Sequence, residues 1–226
     1  MTLKTISAFV DAGPDGLARL EMAAKLASTH EAALQAHVLV LAPNLPSGMG
    51  AAALADAYAE AAAAAHEAGS AATSKVRSAA DKALSGSRVR QFDLQREQMA
   101  AAAAVLAQAS DLVVLAQPEQ QDHSPIDSEV FAGVLMRSGR PCLMAPRWEQ
   151  PHAWGERILV AWKGTPESAR AVQAAIPLLR TAKLVRFVLA DPRGEALGEG
   201  PHALAALAEH LSRHGVRMDQ PSIRAA

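Results

Sequence analysis

Residues 111–118, DLVVLAQP, form one unbroken aliphatic run closed by a proline. A strand of this kind has no polar face to turn to water. It must be covered on both sides, as a central strand of a parallel sheet is. Parallel neighbours need crossover connections, usually helices. The chain supplies them. Strand-like runs at 5–11 (TISAFVD), 34–43 (LQAHVLVLAP), 88–94 (RVRQFDL) and 141–146 (PCLMAP) alternate with helical patterns at 17–29, about 51–84, 96–110 and in VFAGVLMRSG. Pro43 ends the second strand, and Gly139 is placed to end the last of these helices. The polar–apolar alternation of RVRQFDL is that of a half-exposed edge strand. The long alanine-rich helix shows small side chains to the sheet, with Gly69 as a point where it can break. Five strands with four intervening helices predict a doubly wound α/β domain over residues 1–147.

A Pro- and Trp-rich linker follows at 148–156, and the pattern restarts. RILVAWKG is a strand and PESARAVQAAIPLLRTA a helix, with Pro177 set to kink it. Then come the strand LVRFVLADP, the helix PHALAALAEHLSRHG closed by Gly215, and the strand VRMDQPSI. Residues 157–226 thus read as a second, partial domain of three strands.

Composition narrows the function classes. The net charge of -1 and a pI near 6.7 leave no concentrated basic face for nucleic acid or acidic lipid. Aromatic residues make up 4%, so the core must be aliphatic. The one cysteine, Cys142, excludes an intrachain disulfide, fits a reducing compartment and reads as a small core side chain. The N-terminus lacks the pattern of a signal peptide. No apolar run reaches the roughly 18 residues needed to span a bilayer. A cytoplasmic protein, with no membrane partner, is the expectation.

Three stretches resemble the universal stress protein family in its two-copy bacterial form: RILVAWKGTPESARAVQAAIPLLRTA, SDLVVLAQPEQ with VLMRSGRPCLMAP, and LQAHVLV. The resemblance implies a five-stranded parallel sheet of order 3-2-1-4-5, with a second, truncated copy of the same fold after it. Many family members bind ATP at the carboxyl ends of the strands, near the strand-order switch, where open α/β sheets hold ligands. By match, the adenine-side residues are Asp11 and Val38. The family's phosphates lie on a loop of spacing G-x2-G-x9-G-[ST], whose bare amides and following helix start stabilise anionic oxygens.

This chain departs from that pattern. Gln117-Pro118-Glu119-Gln120-Gln121-Asp122-His123-Ser124 contains no glycine. Ser128 and Glu129 stand where the family has its final Gly-[Ser/Thr], and a carboxylate there would repel phosphate. Pro118 also removes an amide donor. Glu129 otherwise reads as a favourable acid at a helix N-terminus. In the second copy Lys163 stands where Asp11 does in the first, and no fourth strand or phosphate loop follows. Lys163 is then a solvated or surface-paired lysine, in a turn explained by Thr165 as N-cap and Pro166 at the first helical position. Without strands four and five, the strand at Ile158–Trp162 becomes an apolar edge. Another chain, the first domain or further residues must cover it, and a homo-oligomer through this edge is expected.

Other candidates have plainer readings. His210 and His214 sit four apart on a helix, a metal-compatible spacing, but no third ligand is placed. His37 reads as a strand residue with a hydrogen-bonded ring, and His30 and His66 as surface residues. Glu119, Asp122, Asp127 and Glu129 read as a solvated acidic loop. No nucleophile elbow, Walker loop or dinucleotide fingerprint is present. The expected function is therefore a non-catalytic universal stress protein acting through oligomer or partner contacts, with no cofactor and no metal. The alternative is an ATP-binding protein, or weak ATPase, with an altered site at the ends of strands one and four.

Overall fold

A computed structural model describes residues 2–44, 51–118, 125–146, 155–190, 200–218 and 222–224. The chain parts into two compact units near residue 150. The first holds β1 (Thr5–Phe9), α1 (Pro14–His30), β2 (Ala33–Leu41), α2 (Ala51–Ala83), β3 (Arg88–Leu94), α3 (Arg96–Gln108), β4 (Leu112–Ala116), α4 (Pro125–Arg137) and β5 (Cys142–Ala145). The strand order is β3-β2-β1-β4-β5, and every pairing is parallel. This is the expected 3-2-1-4-5 sheet, with its order reversing between β1 and β4.

Strand alternation sorts the side chains onto two faces. Phe9, Leu39, Val113 and Leu115 form one core cluster with Ala103 and Ala107 of α3 and Val130 and Val134 of α4. On the other face Val40 lies against α2. A Cβ at Gly69 would come within 2.4 Å of Val40 Cγ2 and 2.9 Å of Gln91 Nε2. Gly69 therefore lets α2 lie close to the sheet, and α2 runs through it unbroken, contrary to the expected break. The α3–α4 contact is as tight, since a Cβ at Gly133 would sit 2.1 Å from the Ala100 carbonyl oxygen.

The amino ends of the central strands are tied by Asp111. Its Oδ2 accepts the amides of Lys4 at 2.7 Å and Thr5 at 2.9 Å, and its own amide donates to the Thr5 carbonyl. Helix α1 begins at Pro14, three residues before the predicted start, because proline suits the first helical position. Helix α4 begins at Pro125, inside the segment read as a polar loop. Glu129 consequently lies one turn into α4, and the acid of its first turn is Asp127. That corrects the reading of Glu129 as the terminal acid. Cys142 is half-buried on β5 and packs against the α3–α4 cluster; burial pushes its thiol pKa up.

The second unit holds β6 (Arg157–Trp162), α5 (Pro166–Thr181), β7 (Leu184–Ala190), α6 (Gly200–Arg213) and β8 (Ser222–Arg224), in a parallel sheet of order β6-β7-β8. It is a smaller sheet consistent with a truncated second copy. Thr165 caps α5 with Pro166 at its first position, as expected, and the helix runs through Pro177. Trp162, Val185 and Phe187 pack with Val172, Ile176 and Leu179 of α5 and Leu211 of α6. Right-handed crossovers progressing in one direction put both helices on the same face. The opposite face carries Leu159, which is 66% exposed, and Ala161, also exposed. So β6 is an edge, as expected, and one face beside it is bare as well. Among the described residues no helix is long and apolar enough to cross a membrane.

Candidate functional site

The order switch between β1 and β4 places a crevice outside their carboxyl ends, where open α/β sheets bind ligands. Here β1 has already ended at Phe9, and Asp11 stands in the turn that leads into α1. Its carboxylate is engaged on both oxygens. Oδ1 accepts the Gly13 amide at 2.7 Å, which shapes the turn. Oδ2 meets Arg19 Nη2 at 3.1 Å. Arg19 comes from the second turn of α1 and is buried, and its Nε donates to the Phe9 carbonyl at 2.7 Å. The turn has no slack, because a Cβ at Gly16 would lie 2.4 Å from the Asp11 carbonyl oxygen.

Behind Asp11 the crevice narrows to a cavity of about 60 Å³. Its described lining is Phe9, Val10, Asp11, His37, Leu39, Ile126, Asp127 and Val130. Ligand pockets are commonly about 300–1,000 Å³. Ile126 and Val130 of α4, which begins at Pro125, form part of this lining. Val38, the second residue matched to the adenine side, is buried on β2 and is not in this lining.

At the foot of the crevice runs a buried polar chain that the sequence did not announce. Ser110 Oγ donates to Ser7 Oγ at 2.6 Å, and Ser7 Oγ lies 3.2 Å from His37 Nε2. The His37 ring is set against Phe9 and Phe92, at centroid distances of 5.1 and 5.9 Å. Burial first, and the positive charge of Arg90 second, lower its pKa to about 4, so the ring is neutral near pH 7. The expected hydrogen-bonded strand histidine is therefore what the structure holds.

The phosphate-loop argument rests largely on residues 119–124, which lie outside the described residues. Of its described part, the Gln117 amide already donates to the Ala145 carbonyl at 3.3 Å, and Pro118 has no amide to give. The other candidates fall as follows. Lys163 is exposed. His66, exposed on α2, meets Asp93 of β3 at 2.5 Å. His30 is half-buried, not a free surface residue; its Nε2 is enclosed without a partner, and burial lowers its pKa. His210 and His214 stack edge to face at 4.7 Å, with His210 Nε2 3.4 Å from Gln173 Oε1. No cluster of three or more metal-ligating side chains occurs among the described residues.

A second, wider groove of about 330 Å³ lies between α2 and the outer strand β3. It is lined by Ser70, Thr73, Arg77 and residues Val89 to Phe92. Arg77 there reaches the outward-facing Val89 carbonyl at 3.4 Å, a basic residue guarding a sheet edge.

No family model matches the chain, and no curated protein matches it. Solved structures do. A universal stress protein from Archaeoglobus fulgidus DSM 4304 aligns over 98% of this chain and 78% of its own, at 13% identity and a TM-score of 0.63. A functionally unknown protein from Pseudomonas aeruginosa PAO1 aligns over 99% of this chain and 74% of its own, at 19% identity and a TM-score of 0.50. Identities this low speak to architecture alone. Together with the 3-2-1-4-5 sheet and the partial second sheet, they give this chain the fold of the universal stress proteins.

Proposed function

We propose that this protein is a non-catalytic universal stress protein, acting in the stress response through partner or self contacts and not through a bound nucleotide. The observation that carries the reading is the state of the crevice. Among the described residues, the cavity that Asp11 lines measures about 60 Å³, and the Asp11 carboxylate is taken up by Arg19 and the Gly13 amide. An adenosine would have to displace Ile126 and Val130, and would find the acid on its base side already bonded. The contact surface we favour is the β6 edge near Ile158–Trp162, where Leu159 is bare. An apolar outer strand favours strand-to-strand pairing with a second copy.

The alternative, an altered ATP site or weak ATPase, draws on one feature. The Asp11 side chain remains 58% exposed despite its ion pair. Titration calorimetry with ATP and Mg²⁺ separates the two. Our reading expects no saturable heat. Micromolar binding that Asp11→Ala abolishes would establish the alternative.

A further inference from the structure

We propose that His210 and His214, with the side-chain oxygen of Gln173, form an exchangeable binding site for a divalent ion that prefers imidazole ligands, such as zinc. The site belongs to the second unit, and the reading of the β1–β4 crevice does not bear on it.

Spacing makes the pair possible, because residues four apart lie on one face of a helix. The fold keeps the two rings together, edge to face with centroids 4.7 Å apart. His210 is exposed and His214 half-buried, so an ion from solution reaches both. Either nitrogen of an imidazole can ligate once it is free of its proton. The assignment therefore does not turn on which tautomer the rings hold.

The third donor comes from tertiary structure. No cluster of three histidine, cysteine or carboxylate ligands occurs among the described residues. What the fold adds is Gln173 of α5, 37 residues before His210, with its Oε1 3.4 Å from His210 Nε2. That is long for a hydrogen bond. It is the separation of two donors on one ion, since ligands about 2.1 Å from a tetrahedral zinc lie about 3.4 Å apart.

Charge and exposure set the strength. His214 follows the last residue of α6, and the carboxyl end of a helix favours a cation. Arg213 stands between the two histidines in sequence, and Glu209 pairs with it. The ligand set holds no thiolate or carboxylate. It binds reversibly, unlike a structural zinc closed by four protein ligands. An ion held there clips α6 to α5.

The test titrates ZnCl₂ into the full chain, ¹⁵N-labelled, near pH 7, and follows the histidine rings and glutamine side-chain amides by NMR. Saturable shifts of His210, His214 and Gln173 with one shared midpoint are expected. MgCl₂ should produce none, because magnesium takes oxygen ligands. Shifts of one ring without the other, a failure to saturate, or equal shifts with magnesium overturn the proposal. Two imidazoles on one helical turn act as a chelate, so His214→Ala should weaken zinc binding at His210 by about 100-fold. An unchanged midpoint there would show that the rings bind singly, and would overturn it too. Gln173→Ala should raise the midpoint while both rings still shift. Equal midpoints in that variant and the parent would strike the oxygen from the ligand set, and the clip between helices with it.

Discussion

Arg19 holds Asp11 from inside the fold. Its Nη2 lies 3.1 Å from Asp11 Oδ2, with side-chain exposures of 4% and 58% respectively, and its Nε is spent on the Phe9 carbonyl. Asp11 is the outer half of an ion pair whose inner half is buried.

That pairing makes Asp11 a structural residue. Asp11→Ala leaves a buried guanidinium with one partner fewer and removes the acceptor of the Gly13 amide. We expect a loss of about 1–3 kcal/mol, from the cost of stranding a buried donor. Urea unfolding monitored by circular dichroism measures it. An unchanged midpoint would show that solvent replaces the carboxylate freely.

Gly133→Ala should also destabilise, although alanine is the better helix former by about 1 kcal/mol. The added methyl would lie 2.1 Å from the Ala100 carbonyl oxygen, so α3 and α4 must move apart. Overpacking of this kind costs about 1–3 kcal/mol. A lowered Tm in a calorimetric scan is the expected result, and a raised one would contradict the close approach.

Stability should fall on acidification through the titration of His37. Its folded pKa of about 4 lies below the ordinary 6.5, so the unfolded chain binds the proton first. The stabilisation is complete above the unfolded value and is lost as the pH falls from about 6.5 towards 4. The shift corresponds to roughly 3 kcal/mol. Arg90 opposes protonation, and Asp11 and Asp127 are the acids among the residues that line the same cavity. His30, its pKa also lowered by burial, adds to the slope with the same sign. Urea midpoints measured between pH 7 and 4 should decline less steeply in a folded His37→Gln variant than in the parent.

Association should run through β6. Leu159→Glu puts a charge on the bare face of the edge strand. Light scattering should show a higher-mass species for the parent and a smaller one for the variant. Equal masses would place self-association elsewhere.

Much of the fold was legible because parallel sheets write themselves in aliphatic runs: the stretch at Leu112–Ala116 is fully buried, as its composition requires. The restart at Arg157 was equally plain. The site was less so. An arginine in an amphipathic helix reads as surface, and nothing local marks Arg19 as buried. Ser7 and Ser110 meet only through the β1–β4 pairing, 103 residues apart. One missed signal was present. Pro125, like Pro14, is a first-turn residue, and reading it so would have started α4 early enough to carry Ile126 into the crevice.

The proposal that no nucleotide enters the crevice is most directly tested by methyl-labelled NMR of Ile126 and Val130, which line the cavity behind Asp11. With Mg-ATP raised to millimolar levels, their signals should stay where they are. Saturable shifts of both, lost in Asp11→Ala, would show that adenosine enters between α4 and the sheet and would contradict the account.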